Sequence, residues 1–409
     1  MENNPNNKRS AALQLIILFG LVSLFGDIVY EASRSVNGQY LNILGVNAAT
    51  VGLIIGIGEF FSYFIRLVAG YLSDKTKAYW FFTLAGYFLI ISVPMISLTS
   101  SWQVVALLII SERIGKAIRS PSRDAILSHA TKQVGTGFGF GLHEAMDQIG
   151  AIAGPLIFAA IFFILKSSRE NISNYQVGYR FLWIPFILMM SVLVLSYIRM
   201  PQPEKLETSR QTAKESEKLP KVFWLYVIFS FITTVGFLNF VLIAFHFKAR
   251  NIFTDAQIPI FYAIAMAVDG IAALIIGKIY DRLKVKSKNG RGGLFVLIVI
   301  PVLSLLIPVL LFLQSTFLAI ISVLIWGLVM GAHETIMRSS IADITSLKKR
   351  GTGYGVFNTG YGLALFVGTS LMGLLYDYSV ALLISFAVII EVIAIMFFFI
   401  LRREVLLNS

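Results

Sequence analysis

Gly70-Tyr71-Leu72-Ser73-Asp74-Lys75-Thr76-Lys77 and Gly277-Lys278-Ile279-Tyr280-Asp281-Arg282-Leu283-Lys284 are two versions of one phrase. Each is glycine, three residues, aspartate and a basic run, and each closes a long apolar segment. The copies stand 207 positions apart in a chain of 409. Two further pairs keep the same order. Arg119-Ser120 followed by Asp124 matches Arg338-Ser339 followed by Asp343, and Gly135-Thr136-Gly137-Phe138-Gly139 matches Gly351-Thr352-Gly353-Tyr354-Gly355. Chance supplies one such match. Three in one order, at offsets of 207 to 219, mark an internal repeat.

The halves are built for a membrane. Hydrophobic residues make up 57% of the chain and charged residues 14%, against about 25% charged in a soluble domain. Apolar runs of bilayer length recur throughout. They read as twelve segments: 13–41, 49–72, 79–98, 102–118, 138–165, 180–198, 223–247, 257–280, 293–313, 317–337, 354–376 and 380–401. The segment 102–118 is the least apolar. The expectation is an all-α membrane protein, with twelve transmembrane helices in two pseudo-symmetric six-helix bundles. The bundles would span 1–199 and 222–409, joined by a polar cytoplasmic linker at 200–221 rich in Pro, Glu, Lys, Ser, Gln and Thr. Repeated membrane halves of this kind point to a secondary transporter.

The net charge of +12 reads as topology, not as a nucleic-acid signal. Lys and Arg crowd the loops of one side: Lys8 and Arg9, Lys75 and Lys77, Lys284, Lys286 and Lys288, Lys348 to Arg350, Arg402 and Arg403. The opposite loops hold five: Lys166, Arg169, Arg180, Lys248 and Arg250. This bias places both termini in the cytoplasm, with attraction to anionic membrane lipid as a side effect. There are no cysteines, so disulfides, Cys-ligated metals and thiol chemistry are excluded. The first segment is too long and too charged for a cleaved signal peptide. No P-loop, Gly-x-Ser-x-Gly or HExxH is present. Gly135 to Gly141 opens a membrane helix and follows no strand, so it is not a dinucleotide site. No enzyme activity and no cofactor are expected.

The motifs resemble the major facilitator superfamily along the whole chain. Gly70 to Lys77 is similar to its loop 2–3 motif, with Lys75 where arginine is common and a shortened basic tail. Gly150-Ala151-Ile152-Ala153-Gly154-Pro155 resembles the glycine-x-x-x-glycine-proline motif of the fifth span. Glu112-Arg113-Ile114-Gly115-Lys116-Ala117-Ile118-Arg119, with Arg123-Asp124-Ala125, resembles the fourth-span signature of a prokaryotic branch. The resemblance implies a monomer in the cytoplasmic (inner) membrane of a prokaryote. It also implies a latch of Gly70, Asp74, Lys75, Arg119 and Arg123, mirrored by Gly277, Asp281 and Arg338. Asp74 is expected near Gly351, and Asp281 near Gly135. Gly150, Gly154 and Pro155 are helix-packing residues.

Charges inside the spans are the coupling candidates. On segment one, Glu31 lies about 40° from Asp27 and Arg34 about 20° to the other side, so the three share one stripe. Asp27 sits about 21 Å along that helix, near the midplane. Charges at such depth must face water or one another, and a surplus carboxyl there can take up and release a proton. Glu59 and Arg66 share a stripe with Tyr63 on segment two. Glu112 and Arg113 lie on segment four, whose arginine the resemblance ties to proton coupling. His143, Glu144 and Asp147 can touch one another on segment five. Their second-half equivalents are Thr359, Gly360 and Leu363, and that asymmetry favours function. Asp269 is the coupling candidate of the second half, where Glu334 and Arg338 read as a pair, Phe237 and Phe240 as walls around Asn239, and His246 as an outer-interface residue. His143, Glu144 and Asp147 have ligand types for a divalent ion but lack a second His or Cys, so no metal site is assigned. The favoured reading is proton-coupled export of a small organic solute by an antiporter. The alternatives are a divalent-metal exporter, and a lipid flippase or solute sensor on the same scaffold.

The repeated phrase generates a test. Asp74→Asn should loosen the inner gate and impair transport while surface expression stays normal. Unchanged transport at normal expression excludes the latch.

Overall fold

In hydrocarbon, a chain must satisfy its peptide groups within itself, which leaves helix as the form for a single span. The computed structural model describes residues 5–165, 171–203, 219–287, 292–313, 315–345 and 350–407, and these residues contain helix and no strand. Eight spans are continuous. They are the first (Pro5–Ile43), second (Ala48–Thr76), fourth (Trp102–Val134), fifth (Thr136–Ile164), eighth (Gln257–Lys286), tenth (Thr316–Ile344), eleventh (Arg350–Tyr378) and twelfth (Val380–Leu407). The third (Tyr79–Leu98), sixth (Ile172–Arg199), seventh (Lys221–Ala249) and ninth (Gly292–Leu311) are built from shorter pieces. Among the described residues eleven of the twelve are apolar enough to cross a membrane, and the fourth span falls short because of its charges.

Proline explains three of the four broken spans. It lacks the N–H that would bond the carbonyl four residues back. Pro94 frees the Ile90 carbonyl where the third span tightens into 3-10 turns. Pro185 frees that of Phe181, where the sixth changes pieces, and Pro308 frees that of Ser304 in the ninth. The seventh span breaks without proline, between Gly236 and Phe240. The peptide groups freed there are met by side chains. Asn239 Oδ1 accepts from Val241 N at 3.0 Å, and Leu238 O accepts from Trp326 Nε1 at 2.9 Å. Pro121 and Pro155, by contrast, sit inside continuous helices.

The chain forms two compact units. The first comprises Met1–Leu44, Phe61–Gln211 and Asp255–Ala263, and the second Gly45–Phe60, Thr212–Thr254 and Ile264–Ser409. The start of the second span thus belongs with the second unit, and the start of the eighth with the first. Within the first unit, the fifth span lies along the first through glycine. A Cβ on Gly150 would stand 2.5 Å from the Leu24 carbonyl oxygen, and one on Gly154 would stand 2.6 Å from that of Ile28. Within the second unit, a Cβ on Gly368 of the eleventh span would stand 2.4 Å from Val235 O of the seventh. Each unit therefore uses glycine to bring its fifth helix in sequence onto its first, so that backbones touch and dispersion contacts replace the hydrophobic drive that lipid removes.

Gly154→Val should cost about 1–3 kcal/mol through overpacking at this seam. Gly141→Ala is the control, because a Cβ there meets nothing within 4 Å. Thermal melting of both purified variants tests the seam, and equal melting temperatures exclude it.

Candidate functional site

The interior of the first unit is organised around Tyr30. The helical stripe read from the first span brings Asp27, Glu31 and Arg34 to one face, and Tyr30 lies among them. The Tyr30 hydroxyl donates to Asp27 Oδ1. Arg34 Nη1 donates to Glu31 Oε1 at 2.7 Å. Tyr262 Oη, from the start of the eighth span, donates to Glu31 Oε2 at 2.6 Å. Both carboxylates are 5% exposed. Three cations stand over the Tyr30 ring: Lys116 Nζ at 4.3 Å from its centroid, Arg34 Cζ at 5.4 Å and Arg119 Cζ at 5.5 Å. Arg119 also lies 4.2 Å from the Tyr87 centroid and is 1% exposed. Such cation–ring contacts strengthen when water is excluded, to about 2 kcal/mol.

Two more sets of candidates border this region. On the fourth span, Arg113 Nε lies 3.4 Å from Glu112 Oε2, and both side chains are buried. On the fifth, His143 Nδ1 lies 3.8 Å from Asp147 Oδ2, while Glu144 is exposed. Gly150 ties this pair to the first span, since a Cβ there would stand 2.8 Å from Asp27 Cβ. Arg66 rests on the Tyr63 ring at 5.1 Å. Glu59 falls in the second unit with the start of its span. Among the described residues, no three His, Asp or Glu side chains converge as a metal-ligand set.

The repeated phrases occupy helix ends and differ in detail. In the first copy, Asp74 Oδ1 accepts from Tyr79 Oη at 3.1 Å, and Lys77 Nζ reaches the same hydroxyl at 3.3 Å. Lys77 takes a positive φ of 58° in the turn. Lys75 lies over the Tyr71 ring at 5.8 Å. A Cβ on Gly70 would meet Pro121 at 3.4 Å, and Arg123 Nη2 pairs with Asp124 Oδ1 at 2.8 Å. In the second copy, Asp343 accepts from Tyr280 Oη at 2.9 Å and from Lys284 Nζ at 2.6 Å. Asp281 is exposed, and a Cβ on Gly277 would meet Thr335 at 3.3 Å. The side chain of Arg338, and with it the expected Glu334–Arg338 pair, lies outside the described residues.

The second unit adds polar groups that the sequence did not rank. Glu391 is 0% exposed and accepts from Thr233 Oγ1 at 2.7 Å, beside Gly236 where the seventh span breaks. His333 stacks on Phe237 with centroids 5.0 Å apart and reaches Tyr361 Oη at 3.2 Å. His246, expected at the outer interface, is buried and lies 2.8 Å from Tyr376 Oη. Asp269 is buried, and its carbonyl faces Gly331 of the tenth span. Tyr30, Tyr87 and Tyr262 are the site residues missed in the first unit. Nothing local marks Tyr262, which lies 231 positions from Glu31.

Comparisons with known proteins agree with this architecture. Residues 18–337 match the Major Facilitator Superfamily. An uncharacterized protein of Mycobacterium tuberculosis is 35% identical over 398 residues, covering 96% of this chain and 94% of the relative. An uncharacterized MFS-type transporter of Methanocaldococcus jannaschii is 23% identical, covering 96% of each chain. Among solved structures, a POT family transporter in complex with 5-aminolevulinic acid superposes with a TM-score of 0.73 at 13% identity, covering 94% of each chain. The nucleoside transporter NupG superposes at 0.72 and 14%, covering 94% of this chain and 100% of the other. At these identities the solved structures speak for the fold alone. The run of membrane-length helices among the described residues, the glycine seams within each compact unit and the sequence match together make this chain a member of the Major Facilitator Superfamily, a multi-pass membrane transporter.

Proposed function

We propose that this transporter couples protons to the movement of a small organic solute by alternating access, with the first-span acids as the coupling groups. We assign export by antiport as its direction, on the resemblance of an acid-bearing first span to antiporters. We further propose both termini in the cytoplasm, on the basic bias of the loops, a monomer, on the family resemblance, and two bundles at 1–199 and 222–409 joined through 200–221.

One observation carries the coupling reading. Glu31, buried in the first span, is held at both oxygens: by Arg34 of its own helix and by Tyr262 of the eighth. Charge-assisted hydrogen bonds of this kind are about twice as strong as neutral ones. A proton on Glu31 turns the carboxylate into an acid. The Arg34 pair then loses its Coulomb attraction and the Tyr262 bond loses its charge. Asp27, one turn earlier, does the same to its bond from Tyr30. A single proton thus alters contacts within the first span and between the first span and the start of the eighth. That is how a local charge change biases a conformational equilibrium.

Reconstituted protein under an imposed pH gradient tests the reading. Asp27→Asn or Glu31→Gln should abolish gradient-driven transport, while exchange of solute without a gradient survives, because the amide imitates the protonated acid. Tyr262→Phe should keep coupling in weakened form and lower stability by about 0.6–1.7 kcal/mol, the range for hydrogen bonds between membrane helices. Wild-type pH dependence in both acid variants rejects the first span as the coupling site. Solute entering vesicles together with protons rejects antiport.

A further inference from the structure

The cations inside the first unit fall into two classes. Arg34, Arg113 and Arg123 each have a carboxylate within 3.4 Å: Glu31, Glu112 and Asp124. Lys116 and Arg119 have, among the described residues, no carboxylate within 4 Å and no hydrogen-bond acceptor. The groups they touch are the Tyr30 and Tyr87 rings, with the Asp27 and Glu31 carboxylates near them but out of contact. Arg119 is the largest fully buried side chain among the described residues, and its Nε and Nη1 atoms are buried without an acceptor. Donors in that state are costly, more so when charged. A cation–ring contact uses up no N–H as a hydrogen-bond donor to an oxygen, so these donors remain available to an acceptor.

We propose that Lys116 and Arg119 form an anion subsite, which takes the carboxylate or phosphate group of the transported solute. The two residues are three apart on the fourth span, so both project from one side of it. Arg119 offers a planar fork that matches two oxygens of a carboxylate or phosphate, and Lys116 adds a point charge. Tyr30 and Tyr87 fix the cations by their faces, which orders the donors before the anion arrives. Asp27 is engaged by Tyr30, and Glu31 by Arg34 and Tyr262, so neither carboxylate fills the place. The inference rests on the transporter reading for access to this interior, and it names the charge class of the solute that reading leaves open.

Binding is measured without transport. Purified full-length protein is titrated with inorganic phosphate, benzoate and benzamide, the last being the neutral twin of benzoate, at constant ionic strength. Thermal unfolding and tryptophan fluorescence report binding. Phosphate or benzoate should raise the melting temperature while benzamide does not, and Lys116→Gln and Arg119→Gln should each weaken the anion at least tenfold. Arg119→Lys should keep part of the affinity through its remaining charge. Lys116→Gln, at a half-buried position, keeps the test valid if the fully buried Arg119→Gln does not fold. Nanodiscs with and without phosphatidylglycerol separate two sources of the anion: stabilisation by the lipid alone assigns the subsite to a headgroup, and stabilisation by soluble anions assigns it to a solute. No stabilisation by any anion, or equal anion affinity in wild type and Lys116→Gln, overturns the subsite. If anions bind as expected but no solute moves under a pH gradient, the coupling reading fails and the subsite stands.

Discussion

Three charged side chains within eight residues of one membrane helix set the terms for the first unit. Asp27, Glu31 and Arg34 cannot face lipid, because an isolated charge in hydrocarbon costs several kcal/mol at least. The helix therefore turns that stripe inward, and each neighbour supplies what the stripe lacks. Tyr30 gives a hydroxyl to Asp27, Arg34 one N–H of its guanidinium to Glu31, and Tyr262 a second bond to Glu31. The fourth span brings Lys116 and Arg119 to the aromatic face of Tyr30. The polar interior is thus assembled from groups that each resolve another's burial, and tyrosine does most of the joining because it is apolar on its faces and polar at its tip.

Glycine makes that assembly possible. A charge stripe can be enclosed only if the next helix comes close, and the fifth span approaches the first where Gly150 and Gly154 face Leu24 and Ile28. A side chain at either position would separate the helices and open the stripe to lipid. The second unit repeats the arrangement with Gly368 against Val235. Its interior is filled differently, by the Phe237, Trp326 and His333 rings and the buried carboxyls of Asp269 and Glu391. The repeat preserved the backbone contacts and let the side chains diverge. That division suits a scaffold whose two units must pack alike but need not carry the same chemistry.

Much of this was legible in the residues. The repeated phrases, the recurring apolar runs and the glycine spacing are local or periodic, so they announce the helical spans, the duplication and the family. The first-span stripe is legible for the same reason, because a 3.6-residue period fixes which residues share a face. The fourth span is less legible. Its apolar run stops at 118, which places Arg119 and Arg123 at a helix end. The helix continues to Val134, with Pro121 inside it. Hydropathy follows lipid contact, and the C-terminal half of this helix is lined with charges, so its apolar run ends before its helix does. Arg119 is consequently an interior residue packed on two rings.

What the sequence by itself determined is everything that depends on neighbours along the chain: spans, repeat, charged stripes and turn phrases. What only the tertiary structure decided is who meets whom across long separations. Tyr262 reaches Glu31 over 231 positions, and Asp343, rather than Asp281, accepts from Tyr280 and Lys284 of the second phrase. The physical reason is that a helix fixes the direction of a side chain but not its partner. The partner depends on which helix packs alongside, at what height and how closely, and those follow from glycine seams and helix breaks acting together. The same reason hid the two cations that touch rings instead of carboxylates. A charge is visible in a sequence, but what it touches is a property of the packed interior.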